Sequence, residues 1–101
     1  MKAISMGEMI SYQKNSVVSK EILRKPGGTV TVFAFDRGEG LSEHTAPFDA
    51  LVYILDGEAR ITVAGKPCLV RRGEWILMPA FKPHGLQARK RFKMLLILIK
   101  K

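Results

Sequence analysis

Short strand-like segments separated by turn signals run through most of this 101-residue chain. Residues 58–64 alternate apolar and polar side chains, as a strand with one buried face does. Residues 29–35 (TVTVFAF) are rich in β-branched and aromatic side chains, which favour strands. Turn sequences such as PGG at 26–28 and DG at 56–57 recur at intervals of about 8 to 12 residues. No stretch keeps a helical period, so the pattern predicts an all-β sandwich or barrel.

The length predicts one domain over residues 1–101, with residues 1–16 as an N-terminal extension. The longest apolar run, residues 94–99, is far shorter than the roughly 20 residues that a membrane span needs. The N-terminus has no apolar core of signal-peptide length, and the single Cys68 cannot form an internal disulfide. We therefore expect a cytoplasmic protein without a membrane partner, in which Cys68 is a buried strand residue.

The net charge of +8 raises the hypothesis of nucleic-acid binding. The basic residues, however, are spread over strand ends and turns, and the densest cluster flanks the apolar segment 92–99. Charges in such places keep strand edges from aggregating. We therefore favour solvated surfaces over nucleic-acid binding.

Two spaced sets of glycine, histidine and proline carry a more specific signal. Residues 38–57 read G-EGLSE-H-T-A-PFD-A-LVYILD-G, and residues 73–88 read G-EWILM-P-A-F-KP-H-GLQ-A. These spacings resemble the first and second motifs of cupins. The resemblance covers about residues 29–99 and implies a double-stranded β-helix, or jelly-roll, barrel for this range.

The chain departs from the cupin pattern at four positions. Ala46 stands where the family has its second histidine, and Ala50 where it has its glutamate. Phe81 and Ala88 stand where the second motif has its second glycine and its asparagine. Two of the four usual metal ligands are therefore missing. The resemblance places the remaining two, His44 and His84, inside one end of the barrel.

A divalent metal (zinc, iron, manganese, nickel or copper) is the cofactor that the resemblance implies. Such metals normally take three or four protein ligands, so His44 and His84 alone predict partial occupancy at most. Asp49 lies one position before the expected glutamate, and a bulge at 47–48 would turn it inward as a further ligand.

Three roles stay open for His44 and His84. They could bind a metal, act as acid–base groups with Asp49 orienting one ring, or hydrogen-bond a small-molecule ligand. Some cupin sugar epimerases use a metal-free histidine and aspartate, which supports the second role by resemblance only. We favour a barrel that binds a small molecule or, weakly, a divalent metal. The alternatives are a metal-dependent oxygenase or isomerase and a metal-free acid–base enzyme.

Bulky side chains are expected to form the walls of the barrel and its ligand site. Tyr53 is assigned to the ligand-binding site together with the two histidines and Asp49. For the other bulky residues, packing in the core is the default expectation; they are Phe33, Phe35, Trp75, Met78 and Phe81.

Two predicted strands, 49–55 and 92–99, are apolar on both faces. A sheet with one wet face would alternate, so both faces of these strands must be covered. One face fills the barrel. A second copy of the chain is the simplest cover for the other, as the resemblance to homodimeric cupins also implies. The alternative is that the N-terminal extension packs there.

Overall fold

The computed structural model describes residues 2–100, which form antiparallel strands and a single 3-10 turn at Met6–Glu8. This architecture confirms the predicted all-β class and is that of a jelly-roll barrel. The described range contains eight strands: β1 (Val17–Lys25), β2 (Gly28–Phe35), β3 (Gly40–His44), β4 (Asp49–Val63), β5 (Lys66–Arg71), β6 (Trp75–Met78), β7 (His84–Gln87) and β8 (Phe92–Ile99).

The strands form two sheets that share β4. One sheet, called the large sheet here, has the order β1-β2-β8-β4-β6, and the other, called the small sheet, has the order β3-β7-β4-β5. The first half of β4 pairs with β6 and β8, and its second half pairs with β5 and β7. The barrel is thus closed along a strand that belongs to both walls.

Gly57 lies where β4 passes from one sheet to the other. The DG sequence at 56–57 predicts a hairpin turn, but the strand continues through it as one 15-residue element. Gly57 has a φ of 72°, and a Cβ added to it would collide with the carbonyl of Arg91. The left-handed conformation that glycine permits therefore bends β4 between the sheets instead of reversing the chain.

The core fills the space between the two sheets. Residues at alternate positions of β4, such as Ala50, Val52 and Ile54, are buried there. Phe35 of β2 stacks on Phe92 of β8 with ring centroids 4.5 Å apart. Burial of large apolar side chains from both sheets is the main source of stability for a barrel of this size.

The N-terminal extension covers one part of the large sheet's outer face. Ile10 is buried against Val32 and Ala34 in a second small apolar cluster. Two hydrogen bonds hold the extension in place. The Tyr12 hydroxyl donates to Asp56 at 2.6 Å, and the Lys93 ammonium donates to the Gly7 carbonyl at 2.7 Å. The N-terminal extension is thus packed on this face, but it covers only part of it.

A row of apolar residues crosses the rest of the outer face, one from each strand of the large sheet. Strand pairing aligns them in the order Leu77, Leu51, Ile97, Val30 and Leu23. Leu77 and Leu23, at the two ends of this apolar row, are 48% and 49% exposed. Eight of the nine residues of β1 are also exposed. This part of the face has no cover within residues 2–100.

Cys68 differs from its expected environment. It is exposed on β5, which pairs only with β4 in the described residues and so forms a sheet edge. Within residues 2–100, no helix is long and apolar enough to cross a membrane.

Candidate functional site

A cavity of about 210 Å³ lies between the two sheets at one end of the barrel. Apart from the two histidines, every side chain that lines it is apolar. The small sheet and the segment after β3 contribute Leu41, His44, Ala46, Phe48, His84 and Leu86, and the large sheet contributes Ala50, Met78, Met94, Leu96 and Leu98.

His44 and His84 meet in this cavity, as the motif spacing predicts. They are opposed residues of β3 and β7, and their rings pack edge to face with centroids 4.5 Å apart. The register of β3 shifts between Leu41 and His44, and such a bulge re-aims side chains. His84 is only 5% exposed, whereas His44 is exposed at the mouth of the cavity.

The backbone sets the tautomer of both rings. His44 Nδ1 lies 2.9 Å from the carbonyl oxygen of Ser42, and His84 Nδ1 lies 3.0 Å from that of Lys82. A carbonyl oxygen can only accept, so each Nδ1 carries the hydrogen and donates it. Each Nε2 is then left with a free lone pair. The two rings are thus oriented in advance as a pair of nitrogen acceptors or metal ligands.

The lining does not supply the usual cupin ligand set. Ala46 and Ala50 both line the cavity, at the two positions where a histidine and a glutamate would be expected. Residues 2–100 contain no group of three or more histidine, cysteine, aspartate or glutamate side chains that could hold a metal ion. A divalent metal would therefore find two nitrogen donors and no anionic ligand, which does not fit a catalytic metal centre of this kind.

The structure does not bring Asp49 or Tyr53 to the histidines. Asp49 is exposed, and its Oδ1 accepts a hydrogen bond of 2.8 Å from the backbone N–H of Ala80. The proline at 47 does not turn Asp49 inward, because it is Ala50, the next residue, that lines the cavity. Tyr53 shares the outer face with Asp49 and pairs with Trp75 of β6. Strand alternation therefore places both residues outside the cavity.

The other bulky residues divide between the wall, the core and the surface. Met78 lines the cavity, while Phe33 and Phe35 pack in the core. Trp75 is 60% exposed and Phe81 is 72% exposed. Phe81 has a φ of 66°, a left-handed conformation that glycine adopts more readily than phenylalanine, and its N–H donates to the Ala46 carbonyl at 2.8 Å.

Sequence reasoning missed several lining residues, notably Phe48 and the β8 residues Met94, Leu96 and Leu98. The three β8 residues are spaced by two, which is the signal of a shared face. That signal is hidden because the residues between them, Leu95 and Ile97, are apolar as well.

Comparisons with known proteins agree with this architecture. The sequence model of the family described as "Cupin domain" matches residues 31–99. A conserved protein of unknown function from Streptococcus pyogenes is 33% identical with a TM-score of 0.94, over 99% of this chain and 88% of that one. A cupin superfamily protein from Desulfitobacterium hafniense is 29% identical with a TM-score of 0.94, over 99% of this chain and 92% of that one.

A third similar structure is a longer protein. It is a cupin 2 conserved barrel domain protein from Leptotrichia buccalis, 44% identical with a TM-score of 0.93. The match covers 96% of this chain but 47% of that chain, so this chain spans about half of its length. The search of curated proteins found no match.

Proposed function

The chain belongs to the cupin domain family, and from that premise we propose that the barrel binds a small molecule in the cavity between its sheets. The polar group of the ligand meets His44 and His84, and its apolar body fills the rest of the cavity. The observation that carries this proposal is the pair of histidines, oriented by the backbone, at the mouth of an otherwise apolar cavity.

The cavity limits the size of the ligand. An apolar cavity of roughly 150 Å³ can hold a benzene molecule, and this one measures about 210 Å³. A single ring or a short branched chain would therefore fill it. Transfer of such a body out of water contributes about 0.8 kcal/mol for each buried CH₂ group.

The tautomers limit the polar group. Both Nε2 atoms are acceptors in the neutral rings, so a hydroxyl donor on the ligand complements them. Because His84 is buried, a ligand hydroxyl that lies beside it loses its water partners. The hydrogen bond to Nε2 replaces them, and without that bond the hydroxyl would be desolvated without compensation. A phenol or small alcohol fits the apolar walls and donates its one hydroxyl hydrogen to one of the two nitrogens.

Calorimetric titration with p-cresol, and with toluene as a matched probe that lacks the hydroxyl, tests this proposal. We expect p-cresol to bind more tightly than toluene, and His44→Ala to remove that difference while toluene binding persists. Equal binding of both probes, or no binding of either, would contradict the proposed role of the cavity.

The enzyme alternatives have less support. A metal-free acid–base reaction would need a carboxylate beside the histidines, but the Asp49 carboxylate accepts a backbone hydrogen bond outside the cavity. The metal-dependent oxygenase or isomerase needs a ligand set that Ala46 and Ala50 do not provide.

We also propose that the protein is a homodimer whose interface is the apolar row across the large sheet. The row is exposed at both ends, and β1 beside it is exposed along nearly its whole length. Three half-buried apolar residues join the exposed ends, and a continuous apolar surface of this kind marks an interaction site. A second copy of this chain would bring the same apolar row to this surface, so each copy would cover the row of the other.

A further inference from the structure

We propose that Phe81 is a ligand-contact residue, whose aromatic ring turns over the mouth of the cavity and covers a bound small molecule. The inference rests on the proposed function, because it concerns the same cavity. It adds a cover to a site whose mouth is marked by the exposed His44.

Phe81 occupies a turn position that suits a different type of residue. Pro79–Lys82 form a β-turn, closed by a hydrogen bond of 3.3 Å from the Lys82 N–H to the Pro79 carbonyl. Phe81 is the third residue of this turn and has a φ of 66°. Glycine or asparagine usually occupies a third position with positive φ, because most other side chains are strained there. The chain thus keeps a bulky ring at a position where a small residue would be less strained.

The ring of Phe81 also packs against little of the protein. The residue is 72% exposed, more than any other large apolar residue between positions 2 and 100. A single exposed apolar side chain is common and needs no explanation by itself. Backbone strain at the same residue is different, because residues in strained conformations cluster at ligand-binding and other functional sites.

The turn that carries Phe81 is attached to the cavity at two points. The Phe81 N–H donates to the Ala46 carbonyl at 2.8 Å, and Ala46 lines the cavity. The Lys82 carbonyl accepts the hydrogen bond of 3.0 Å from His84 Nδ1, and His84 lines the cavity too. The backbone of Phe81 is therefore held beside the wall and beside the buried histidine of the pair.

Closure requires only a rotation of the side chain. The Phe81 ring is not among the side chains that line the cavity, so it lies outside the cavity in this conformation. Exposed side chains change rotamer within nanoseconds, and such a change leaves the hydrogen bonds of the backbone intact. Because the Phe81 backbone adjoins Ala46, rotation about its side-chain bonds moves the ring toward the mouth.

A ring over the mouth would strengthen binding in two ways. Apolar surface of Phe81 would be removed from water against the body of the ligand, which is favourable. The ring would also exclude water from the exposed His44, and a hydrogen bond to Nε2 is stronger in surroundings of low dielectric constant. The cover therefore favours ligands that present an apolar surface at the mouth beside their hydroxyl group.

A contact between two copies of the chain is the competing explanation for the exposed ring. It predicts that replacement of Phe81 changes the sedimentation of the protein and leaves ligand affinity unchanged. A ligand-contact role predicts the reverse. The two explanations are therefore separated by measuring both properties on the same variant.

The test is calorimetric titration of Phe81→Asn with toluene and with p-cresol. Asparagine is tolerated at positive φ, so this variant removes the ring and keeps the turn. We expect both affinities to fall about tenfold, which is near the low end of what full burial of a large apolar side chain contributes. Stability should not decrease, because strain is relieved. Leu69→Ala, which removes a 45% exposed apolar side chain from β5, is the control and should leave both affinities unchanged.

Nuclear magnetic resonance on the protein with labelled phenylalanine provides a second readout. We expect nuclear Overhauser effects between the toluene methyl group and the Phe81 ring, whose signals are assigned by their loss in Phe81→Asn. Effects to Phe48, which lines the cavity, without effects to Phe81 would overturn the inference and leave the proposed function in place. Unchanged affinities in Phe81→Asn would do the same. If neither probe binds the unmodified protein, both proposals fall.

Discussion

His44 and His84 are opposed across β3 and β7, and their rings meet edge to face at a centroid separation of 4.5 Å. Each ring is tied to the backbone carbonyl two residues before it. The pair is therefore oriented by hydrogen bonds to the backbone just before each ring, in β3 for His44 and in the turn before β7 for His84, and needs no ligand to form. The two residues differ in burial, so their replacement should affect stability to different extents.

Replacing each histidine should reveal this difference. His84→Ala removes a buried ring and its hydrogen bond to Lys82, and we expect a loss of about 1–3 kcal/mol in the free energy of unfolding. His44→Ala alters an exposed residue and should change stability by no more than about 0.5 kcal/mol. Both should weaken p-cresol binding. Chemical denaturation and calorimetry measure the two effects, and equal destabilisation by both variants would contradict the assigned burial.

Restoring the missing ligands should create a tight divalent site. The unmodified protein should retain zinc at partial occupancy at most, because it offers two donors. The double variant Ala46→His, Ala50→Glu should bind zinc stoichiometrically. Position 50 is 3% exposed, so the added carboxylate should destabilise the metal-free protein.

Zinc at 100 times its dissociation constant should then raise the stability of the double variant by about 2.7 kcal/mol. Elemental analysis and thermal unfolding measure occupancy and stability. Ala3→His adds a histidine away from the cavity and serves as the control. Stoichiometric, chelator-resistant zinc in the unmodified protein would refute the weak-site prediction.

A charge placed in the apolar row should dissociate the proposed homodimer. Leu77→Lys puts an ammonium at the end of this row, where burial against a second copy would desolvate it. Leu69→Lys is a matched control, since Leu69 is 45% exposed and Leu77 48%, but Leu69 lies on β5 of the small sheet. Sedimentation velocity at micromolar concentration should show dimers for the unmodified protein and the control, and monomers for Leu77→Lys. A monomeric unmodified protein would end the dimer proposal.

The anchor of the N-terminal extension should be sensitive to alkaline pH. Burial, together with the hydrogen bond to Asp56, raises the pKa of Tyr12 above its usual value. The folded state therefore favours the neutral phenol. Its contribution to stability is complete below the unfolded pKa of about 10, and it is lost progressively as the pH rises above that value toward the folded pKa.

Tyr12→Phe removes the hydrogen bond to Asp56 and should lower the free energy of unfolding at neutral pH by about 1–2 kcal/mol. The variant should also lose stability less steeply above pH 10 or so than the unmodified protein does. Tyr53→Phe makes the same chemical change at the other tyrosine of the chain and serves as the control. Urea denaturation over a pH series measures both effects. If the free energy of unfolding falls equally steeply at alkaline pH with and without Tyr12, Tyr12 is not the pH-sensitive anchor.

The motif residues could be predicted from the sequence because spacing along paired strands is a geometric constraint. His44 and His84 occupy motif positions, and strand pairing between β3 and β7 brings those positions together. The all-β class followed from alternation and turn residues in the same way. Neither inference required knowledge of what packs on the outside of the barrel.

The remaining features depend on contacts that the sequence leaves ambiguous. Gly57 could end a strand or bend it, and only the close approach of the Arg91 carbonyl shows why the strand continues. The face of Asp49 could not be decided from the sequence, because the effect of Pro47 on the register of the strand depends on how the neighbouring strands pair. Cys68 is exposed because its strand is an edge, which is a property of the sheet order.

The shared strand β4 also has a consequence for how the chain is made. β8 lies between β2 and β4 in the large sheet, although it follows both of them in the sequence. While the ribosome is still adding residues before Phe92, β2 and β4 have no common neighbour and the apolar edge of β4 stays unpaired. The large sheet can therefore close only after β8 has left the exit tunnel, and until then residues 49–57 of β4 keep one unpaired edge.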